Sequence, residues 1–421
     1  MKRRYFLQAA AAAGATARAG NSAANRVNVA VVGLRSRGKA LVNVFAAVPD
    51  VSVEYLVEVD ERVVAPVADA LEKSTNRRPK VVTDMRRALE DRSIDAVVIA
   101  TPDHWHAPAT LLACEAGKDV YVEKPCSHNV REGRMMVEAA RRTKRIVQHG
   151  TQARSRPIVQ QAIEYVRSGK IGQVLMAKAW DVQRRRDIGH KEDGPVPPGV
   201  DYDTWVGPAL WMPFNENRFH YEWHWHWNFG TGDTGNDGAH QIDQARWALG
   251  VDYPLEVTGM GRKLYFRDDQ QTPDTMTITF NYPGKVMMFE MRLWNPYKME
   301  GVDNGVAVYG SDGMVQIGRW ADGAGFKVFD PAGKVALFEK GGGGDSHAAN
   351  FIDCVRSRQA PNAEIETGYL SALHCHLGNI VARTGRAVKF DPQTETIVGD
   401  AEANRLLGRE YRRHWGTPRG V

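Results

Sequence analysis

From Val27 onward, short β-branched runs alternate with amphipathic stretches of helical period. Val27–Val32, Val51–Val59, Ile94–Ala100, Asp119–Val122 and Arg145–His149 are predicted strands. Lys39–Ala47, Glu61–Lys73, Pro108–Ala116 and Val130–Thr143 are the predicted helices between them. Strands that are apolar along their whole length, with helices between, imply a parallel sheet covered on both faces. Residues 26–150 are therefore expected to form a doubly wound α/β domain. Beyond Gly150 the pattern changes. A helix at Ile158–Ser168 and a strand at Val174–Asp181 lead into a segment rich in Pro, Gly and Trp that lasts to about Gly235. A helix at Gly238–Leu249 stops at Gly250, which suits the left-handed C′ position. Runs at Thr275–Tyr282, Val286–Leu293, Val306–Gly310 and Lys327–Phe329, set off by glycine-rich turns, predict a large open, mainly antiparallel sheet. Gly341–Gly344 is read as a flexible link, and His347–Val355 and Tyr369–Thr384 as helices. Residues 151–421 are thus expected to be an α+β domain for substrate binding, whose open sheet face invites a homo-oligomer, dimer or tetramer.

The length of 421 residues suits two or three domains, and 43% hydrophobic against 25% charged residues is ordinary for a protein with a real core. Disorder, collagen and a disulfide scaffold are not expected. The net charge of +5 is mostly terminal, because Lys2, Arg3, Arg4 and Arg18 supply four of the five charges. The remainder is close to neutral, so no nucleic-acid partner held by phosphate neutralisation is expected. No stretch reaches the roughly 18–20 apolar residues of a membrane span. The start does read as an export signal over residues 1–19. Arg3-Arg4-Tyr5-Phe6-Leu7-Gln8 resembles the twin-arginine consensus, an Ala-rich run follows, and Ala17-Arg18-Ala19 offers a small-residue cleavage site. A periplasmic or secreted protein is expected, and one exported already folded. Cys114, Cys126, Cys354 and Cys375 form no CxxC and read as buried thiols rather than a zinc site.

The first predicted strand runs into Gly33-Leu34-Arg35-Ser36-Arg37-Gly38 and then a helix. The spacing is that of a GxGxxG dinucleotide loop, with Arg35 at the second glycine. Glu58, at the end of the second strand, is placed to accept from a ribose 2′-hydroxyl and to repel a 2′-phosphate, which favours NAD over NADP. Ligands of open α/β sheets lie off the carboxyl ends of the strands, which brings in Thr101, Pro102, His104 and His106 after the fourth predicted strand. The next strand delivers Glu123, Lys124 and Pro125 to the same edge. A lysine held there, partly desolvated beside a cationic nicotinamide, is expected to have its pKa lowered into the working range for proton transfer.

Five of the eleven tryptophans fall between Trp205 and Trp227. In the stretch from Phe219 to Trp227 polar and aromatic residues alternate. If extended, it places His220, Glu222, His224 and His226 on one face and the aromatics on the other. Aromatic faces suit the C–H faces of a pyranose, and Arg218, His224, Trp225 and Trp227 are candidate sugar contacts. A metal bound by the three histidines is the competing reading, with a plain aromatic core beside it. Further on, Asn236, His240 and Asp243 share one helix face and, with Lys124, complete the candidate substrate contacts. His240 can act there as general base on a hydroxyl, or Asn236 or Asp237 can simply cap the helix while His240 packs.

Together these residues resemble the glucose–fructose oxidoreductase / inositol dehydrogenase (Gfo/Idh/MocA) family, from Val27 to the Tyr411-Arg412-Arg413-His414-Trp415 tail. The most specific elements are Glu123-Lys124-Pro125 and the helix opening that ends at His240 and Asp243. The resemblance implies a Rossmann domain followed by a C-terminal α/β domain with a large sheet. It also implies oxidation or reduction of a sugar or cyclitol hydroxyl with a nicotinamide cofactor. By position it makes Lys124 and His240 catalytic, with Asn236 where many members carry aspartate. Asparagine cannot take a proton, so Lys124 and His240 have to share the acid–base work. An exported enzyme would have to keep its NAD tightly bound and reset it within the site. A ping-pong sugar oxidoreductase, a redox-neutral glycosidase and an external electron acceptor each satisfy that requirement. A non-catalytic sugar-binding protein is the remaining alternative.

Overall fold

The computed structural model describes residues 26–341 and 346–413. The twin-arginine segment, most of the expected glycine link and the His414-Trp415 end of the tail lie outside them. In the first half, β1 (Val27–Val32), α1 (Arg37–Ala46), β2 (Val51–Val57), α2 (Glu61–Thr75), β3 (Lys80–Val82), α3 (Met85–Glu90), β4 (Ala96–Ile99), α4 (Asp103–Glu115), β5 (Asp119–Val122), α5 (Val130–Thr143) and β6 (Val147–His149) follow in order. The six strands form one all-parallel sheet in the order β3-β2-β1-β4-β5-β6. Val29, Val31, Val98, Ile99 and Val122 have no exposed surface, as a sheet covered on both faces requires. Strand order reverses between β1 and β4, and the crevice outside their carboxyl ends is the ligand position of such sheets.

Two departures from the sequence reading matter here. β3 and α3 carry no apolar run to betray them, because β3 is three residues long and two of these are exposed. α4 begins at Asp103 rather than Pro108, so His104, Trp105 and His106 are helical. Pro108 inside α4 has no N–H to offer the His104 carbonyl four residues back. Arg409 of the C-terminal tail takes that carbonyl instead, at 2.6 Å.

The second half opens with α6 (Pro157–Arg167), β7 (Val174–Val182), α7 (Tyr202–Val206), α8 (Gly232–Asn236) and α9 (Gly238–Leu249). β8 (Glu256–Arg262), β9 (Thr275–Tyr282), β10 (Lys285–Arg292), β11 (Asn304–Gly310), β12 (Gly313–Trp320), β13 (Gly323–Phe329) and β14 (Val335–Lys340) follow. The chain continues through α10 (His347–Ser357), α11 (Ile365–Thr384), β15 (Val388–Asp391), β16 (Thr396–Ile397) and α12 (Ala401–Arg405). Ten strands make one sheet in the order β14-β13-β12-β11-β7-β10-β9-β8-β15-β16. Only β7 and β10 pair in parallel. In β9, Met276, Ile278 and Phe280 are buried toward the helices while Thr277 is exposed, the two-residue alternation of a sheet with one covered face.

α9 packs on β7, and α11 packs against α5, α9 and β8, so α11 lies at the junction of the two halves. It is buried around most of its circumference. A helix without a polar face has no amphipathic period to mark its start, which explains why the predicted Tyr369 start is late. The Trp-rich segment is the larger correction. Instead of an extended alternation it forms 3₁₀ turns at Glu216–Arg218 and His220–Trp225. Side chains three apart share a face in such a turn, so alternation no longer sorts polar from aromatic residues. Burial of aromatic surface decides the path: Tyr202, Trp205, Phe214, Phe219 and Phe229 form a small core of their own.

Candidate active site

A cavity of about 1300 Å³ runs from the loop after β1, past the ends of β2 and β4, to Asn236 and His240. Its first end is built by the glycine loop. Gly33 has φ +83°, and a Cβ there would lie 2.7 Å from the Ala100 carbonyl oxygen. A Cβ at Gly38 would lie 1.8 Å from the Gly33 carbonyl oxygen. Both positions therefore need glycine for the tight entry into α1. α1 has no side-chain cap from Ser36 and no acid in its first turn. That arrangement suits an external anion at a helix N-terminus. Arg35 and Ser36 stand exposed at the tip, and both line the cavity. Leu34 N–H donates to Glu58 Oε2 at 2.7 Å, and the other carboxylate oxygen accepts from Val59 and Asp60. Burial still raises the Glu58 pKa despite those three donors. These residues fit a dinucleotide: a phosphate cradle at the loop and a carboxylate at the ribose end of the cavity wall.

Arg37 and Glu123, both expected to touch cofactor, also hold each other, at 2.7 Å. Burial pushes the Glu123 pKa up, but Arg37 and Lys124 outweigh it and keep the carboxyl below its ordinary value. Thr101 and Pro102 line the cavity. His106 does too, but its two ring nitrogens face the carbonyls of Pro125 and Thr101 at 2.6 and 2.8 Å. It clamps the ends of β4 and β5 together. His104 is a correction. It is fully buried, with Nε2 2.9 Å from the Trp205 carbonyl, and it does not reach the cavity, because α4 has already turned it inward.

The second wall comes from the other half of the chain. Glu61 N–H donates to the Gly199 carbonyl at 2.9 Å, and Asp201 N–H to the Val59 carbonyl at 2.8 Å. His220 Nε2 lies 2.9 Å from Asp60 Oδ2, and His220 lines the cavity. Residues 199–220 are thus latched to the end of β2 beside Glu58. Burial and then Arg35 pull the His220 pKa down to about 4, so at neutral pH the neutral ring donates to the carboxylate. Removing this latch in His220→Ala is expected to speed release of a bound dinucleotide by about tenfold, the equivalent of one hydrogen bond to a charged group. Stopped-flow displacement of the cofactor would measure it. An unchanged rate would mean that the latch is not on the exit path.

At the far end of the cavity Lys124 Nζ donates to Asn236 Oδ1 at 2.9 Å, across the two halves of the chain. Asn236 Nδ2 in turn donates to Asp233 Oδ1 at 2.8 Å. Asp233 is fully buried and held by Arg185, with Nε and Nη2 each 2.8 Å from one of its oxygens. His240 lines the same end. Burial first, and Lys124 second, lower its pKa to about 4, so at neutral pH the ring is unprotonated. Asp103, at the first turn of α4, is pushed up to about 7 by burial and accepts from Thr231 Oγ1 at 2.6 Å. Sequence reasoning passed over Asp233, Arg185 and Asp103. Only the run of acids around Asn236 could have drawn notice.

Of the expected sugar contacts, His224 lines the cavity together with Lys124, Asn236 and His240. Four others do not. Arg218 is drawn away into an ion pair with Asp193. Trp225 is buried with its indole N–H on Glu222 at 2.9 Å, and Trp227 packs against the Arg383 guanidinium at 5.0 Å. Asp243 has no exposed surface and is spent on Arg154, at 2.9 Å, and on Ser371, at 2.6 Å. The aromatic residues that do line the cavity are Trp105, Trp205, Tyr221 and Trp223. The three histidines of the metal alternative do not converge: His220 meets Asp60, and His224 Nδ1 meets the Tyr221 carbonyl at 2.5 Å. Among the described residues, the one acidic group close enough to share a cation is Asp181, Asp233 and Asp237, and the Arg185 guanidinium already bonds Asp233 and Asp237.

Three family profiles match the chain. The oxidoreductase family, NAD-binding Rossmann fold, matches residues 27–151. A GFO/IDH/MocA C-terminal domain matches residues 209–316, and the oxidoreductase family C-terminal alpha/beta domain matches residues 327–417. The chain belongs to the Gfo/Idh/MocA oxidoreductase family. Among curated relatives, Glycosyl hydrolase family 109 protein 1 of Shewanella sp. (strain ANA-3) is 28% identical over 176 residues, 39% of this chain and 38% of its own. Levoglucosan dehydrogenase of Pseudarthrobacter phenanthrenivorans is 27% identical over 227 residues, 53% of this chain and 51% of its own. The match thus spans between about two fifths and half the length of these relatives. Solved structures share the fold. Aldose-aldose oxidoreductase from Caulobacter crescentus, complexed with glycerol, aligns with a TM-score of 0.66 at 18% identity over 87% of this chain and 100% of its own. Levoglucosan dehydrogenase, complexed with NADH and levoglucosan, aligns with a TM-score of 0.64 at 20% identity over 86% and 99%.

Proposed function

We propose that this Gfo/Idh/MocA protein is an NAD-dependent oxidoreductase acting on a hydroxyl of a carbohydrate, a pyranose or a glycoside. The observation that carries the reading is the meeting of Lys124, Asn236 and His240 at one end of a cavity whose other end is a dinucleotide loop. When bound, the nicotinamide supplies the hydride acceptor. The hydroxyl must lose its proton as its carbon loses hydride. His240, neutral because burial and Lys124 depress its pKa, is the group able to take that proton. Lys124 places a positive charge where negative charge develops on the oxygen. Asn236 holds the ammonium and cannot itself take the hydroxyl proton. Trp105, Tyr221 and Trp223 offer the flat apolar faces that a sugar ring stacks on. Glu58 at the ribose end favours NAD over NADP.

The twin-arginine motif makes the protein periplasmic or secreted in this reading, with its cofactor retained and reset in place. The open face of the ten-stranded sheet is the surface offered for a dimer or tetramer. The test is to purify the processed protein without added nucleotide, denature it, and identify what is released by mass spectrometry. Near-stoichiometric NAD or NADH is the expected result. Finding none, together with weak binding of added NAD, would overturn the retained cofactor and favour a sugar-binding role.

A second reading, redox-neutral glycoside cleavage in the same site, draws on the relatives named Glycosyl hydrolase family 109. A substrate deuterated at the oxidised carbon separates the two. Glycone that keeps its deuterium marks cleavage with hydride return. Deuterium left on the nicotinamide marks net oxidation.

A further inference from the structure

The contacts of Asn236 give a physical reason for an amide where many family members carry a carboxylate. Lys124 is an ammonium and can only donate. Both oxygens of Asp233 accept from Arg185, so toward position 236 it presents an acceptor. Position 236 lies between them, with Oδ1 2.9 Å from Lys124 Nζ and Nδ2 2.8 Å from Asp233 Oδ1. An amide offers an acceptor atom to one side and a separate donor atom to the other, whereas a hydroxyl would have to serve both through one oxygen and a carboxylate has no donor. The amide's orientation is therefore dictated by chemistry, independently of which amide atom is drawn as oxygen. A carboxylate at 236 would accept from Lys124 equally well, but it would set two buried acids edge to edge.

We propose that Asp233 is a positioning residue of this site: locked by Arg185, it requires an amide at position 236 and aims the amide oxygen at Lys124. The proposal rests on the reading of Lys124 as the positive charge beside the reacting oxygen. It adds a line of command from Arg185 through Asp233 and Asn236 to that lysine. None of the first three need touch substrate to act in this way.

The pair is surrounded by charge. Arg185 faces it from beyond β7, Asp181 from β7 itself, and Asp237 from the start of α9. Gln183 bridges Asp181 and Asp237, Tyr221 accepts from Arg185, and Lys124 closes the β5 side. Burial and mutual repulsion raise Asp181 and Asp233, whereas Arg185 and Lys124 outweigh burial at Asp237 and hold it below its ordinary value. A carboxyl at 236 would meet Asp233 edge to edge, and the facing pair is expected to hold one proton between them above the ordinary carboxylate range.

The experiment follows the melting temperature of the full chain between pH 5 and pH 8 for the wild type, Asn236→Asp, Asp233→Asn and the double exchange Asp233→Asn/Asn236→Asp. In Asn236→Asp the facing pair of carboxyls is expected to hold one proton at a pH above the unfolded carboxylate range. The variant's stability is therefore kept at low pH and lost as pH rises through the raised value. The expected result is a Tm deficit of about 3 °C or more at pH 8 that shrinks by at least about half at pH 5. In the double exchange the pH dependence disappears, and the deficit is smaller than the two single deficits combined. A deficit of Asn236→Asp that does not change with pH overturns the proposal, whether or not the other variants fold. Simple additivity in the double exchange overturns it as well.

A second readout follows the lysine. Labelling of Lys124 by trinitrobenzenesulfonate, located by mass spectrometry, is expected to rise about fivefold in Asp233→Asn, the equivalent of one hydrogen bond lost. An unchanged rate would mean that Asp233 does not hold the amide on the lysine. Neither readout uses turnover. Failure here is thus distinguishable from failure of the oxidoreductase reading, which the released nucleotide and the deuterium label test.

Discussion

Lys124→Ala is expected to lose turnover of its carbohydrate substrate by about 10²- to 10⁴-fold while keeping its dinucleotide. The two halves of this expectation come from the two ends of the cavity. The phosphate cradle is made by Gly33, Gly38 and the N-terminus of α1, and Glu58 is held by backbone N–H groups of Leu34, Val59 and Asp60. None of these depends on Lys124. The acid–base end does depend on it, because Lys124 is the donor to Asn236 and, in the proposed mechanism, the positive charge at the reacting oxygen. His240 should respond as well. Burial is the main reason that its pKa lies near 4, and the Lys124 ammonium is the next. Without that charge His240 protonates at a higher pH, so the acid limb of any residual activity is expected to move up. Single-turnover reduction of the bound nicotinamide, followed by its absorbance, measures both effects. Full turnover in Lys124→Ala would remove the lysine from the mechanism, and with it the hydride-transfer site proposed for this cavity.

Acid is expected to unfold this protein cooperatively, with a midpoint near pH 5. Burial pushes His104, His149, His224, His374 and His376 down to about 3, and His220, His226 and His240 to about 4. In the unfolded chain each titrates near about 6.5. A depressed folded-state pKa contributes stability that is complete above the unfolded value and is lost as pH falls. Each histidine that binds a proton only on unfolding removes about 1.4 kcal/mol per pH unit below 6.5. These eight of the thirteen histidines, with His106 and His128 lowered by burial as well, exhaust a total stability of about 5–15 kcal/mol within one to two units. Asp103, raised to about 7, acts in the opposite sense and softens the upper end of the transition. Circular dichroism against pH gives the midpoint, and potentiometric proton uptake gives the number of groups. A chain still folded at pH 3.5, with no uptake below pH 6, would mean that these rings are solvated.

The parallel sheet was legible because a strand covered on both faces has to be apolar throughout, and Val27–Val32 and Asp119–Val122 occupy the predicted positions. The glycine loop was legible for a local reason. Gly33 and Gly38 are required by contacts within a single turn and with the neighbouring β4 end. Lys124, Asn236 and His240 were named from the sequence, and they line one cavity. The Trp-rich segment was misread. Its alternation looks extended, yet an aromatic core around Trp205 and Phe229 folds it into 3₁₀ turns and sends Trp225 and Trp227 away from the cavity. Asp243 shares a helix with His240 but serves Arg154, a residue 89 positions earlier.

By itself, then, the sequence determined what depends on neighbours along the chain: periodicity, the glycine turn, the helix stop at Gly250, and the types of residue at the strand ends. Tertiary structure alone decided which of those residues share a cavity, because distances such as Lys124 to Asn236 join segments 112 residues apart. It also decided which polar groups are already spent, as with Arg37 on Glu123 and His220 on Asp60. Charge and burial at a site are sums over everything packed around it. The reason for an amide at position 236 lies in Arg185 and Asp233, and nothing in the local pattern around Asn236 carries it.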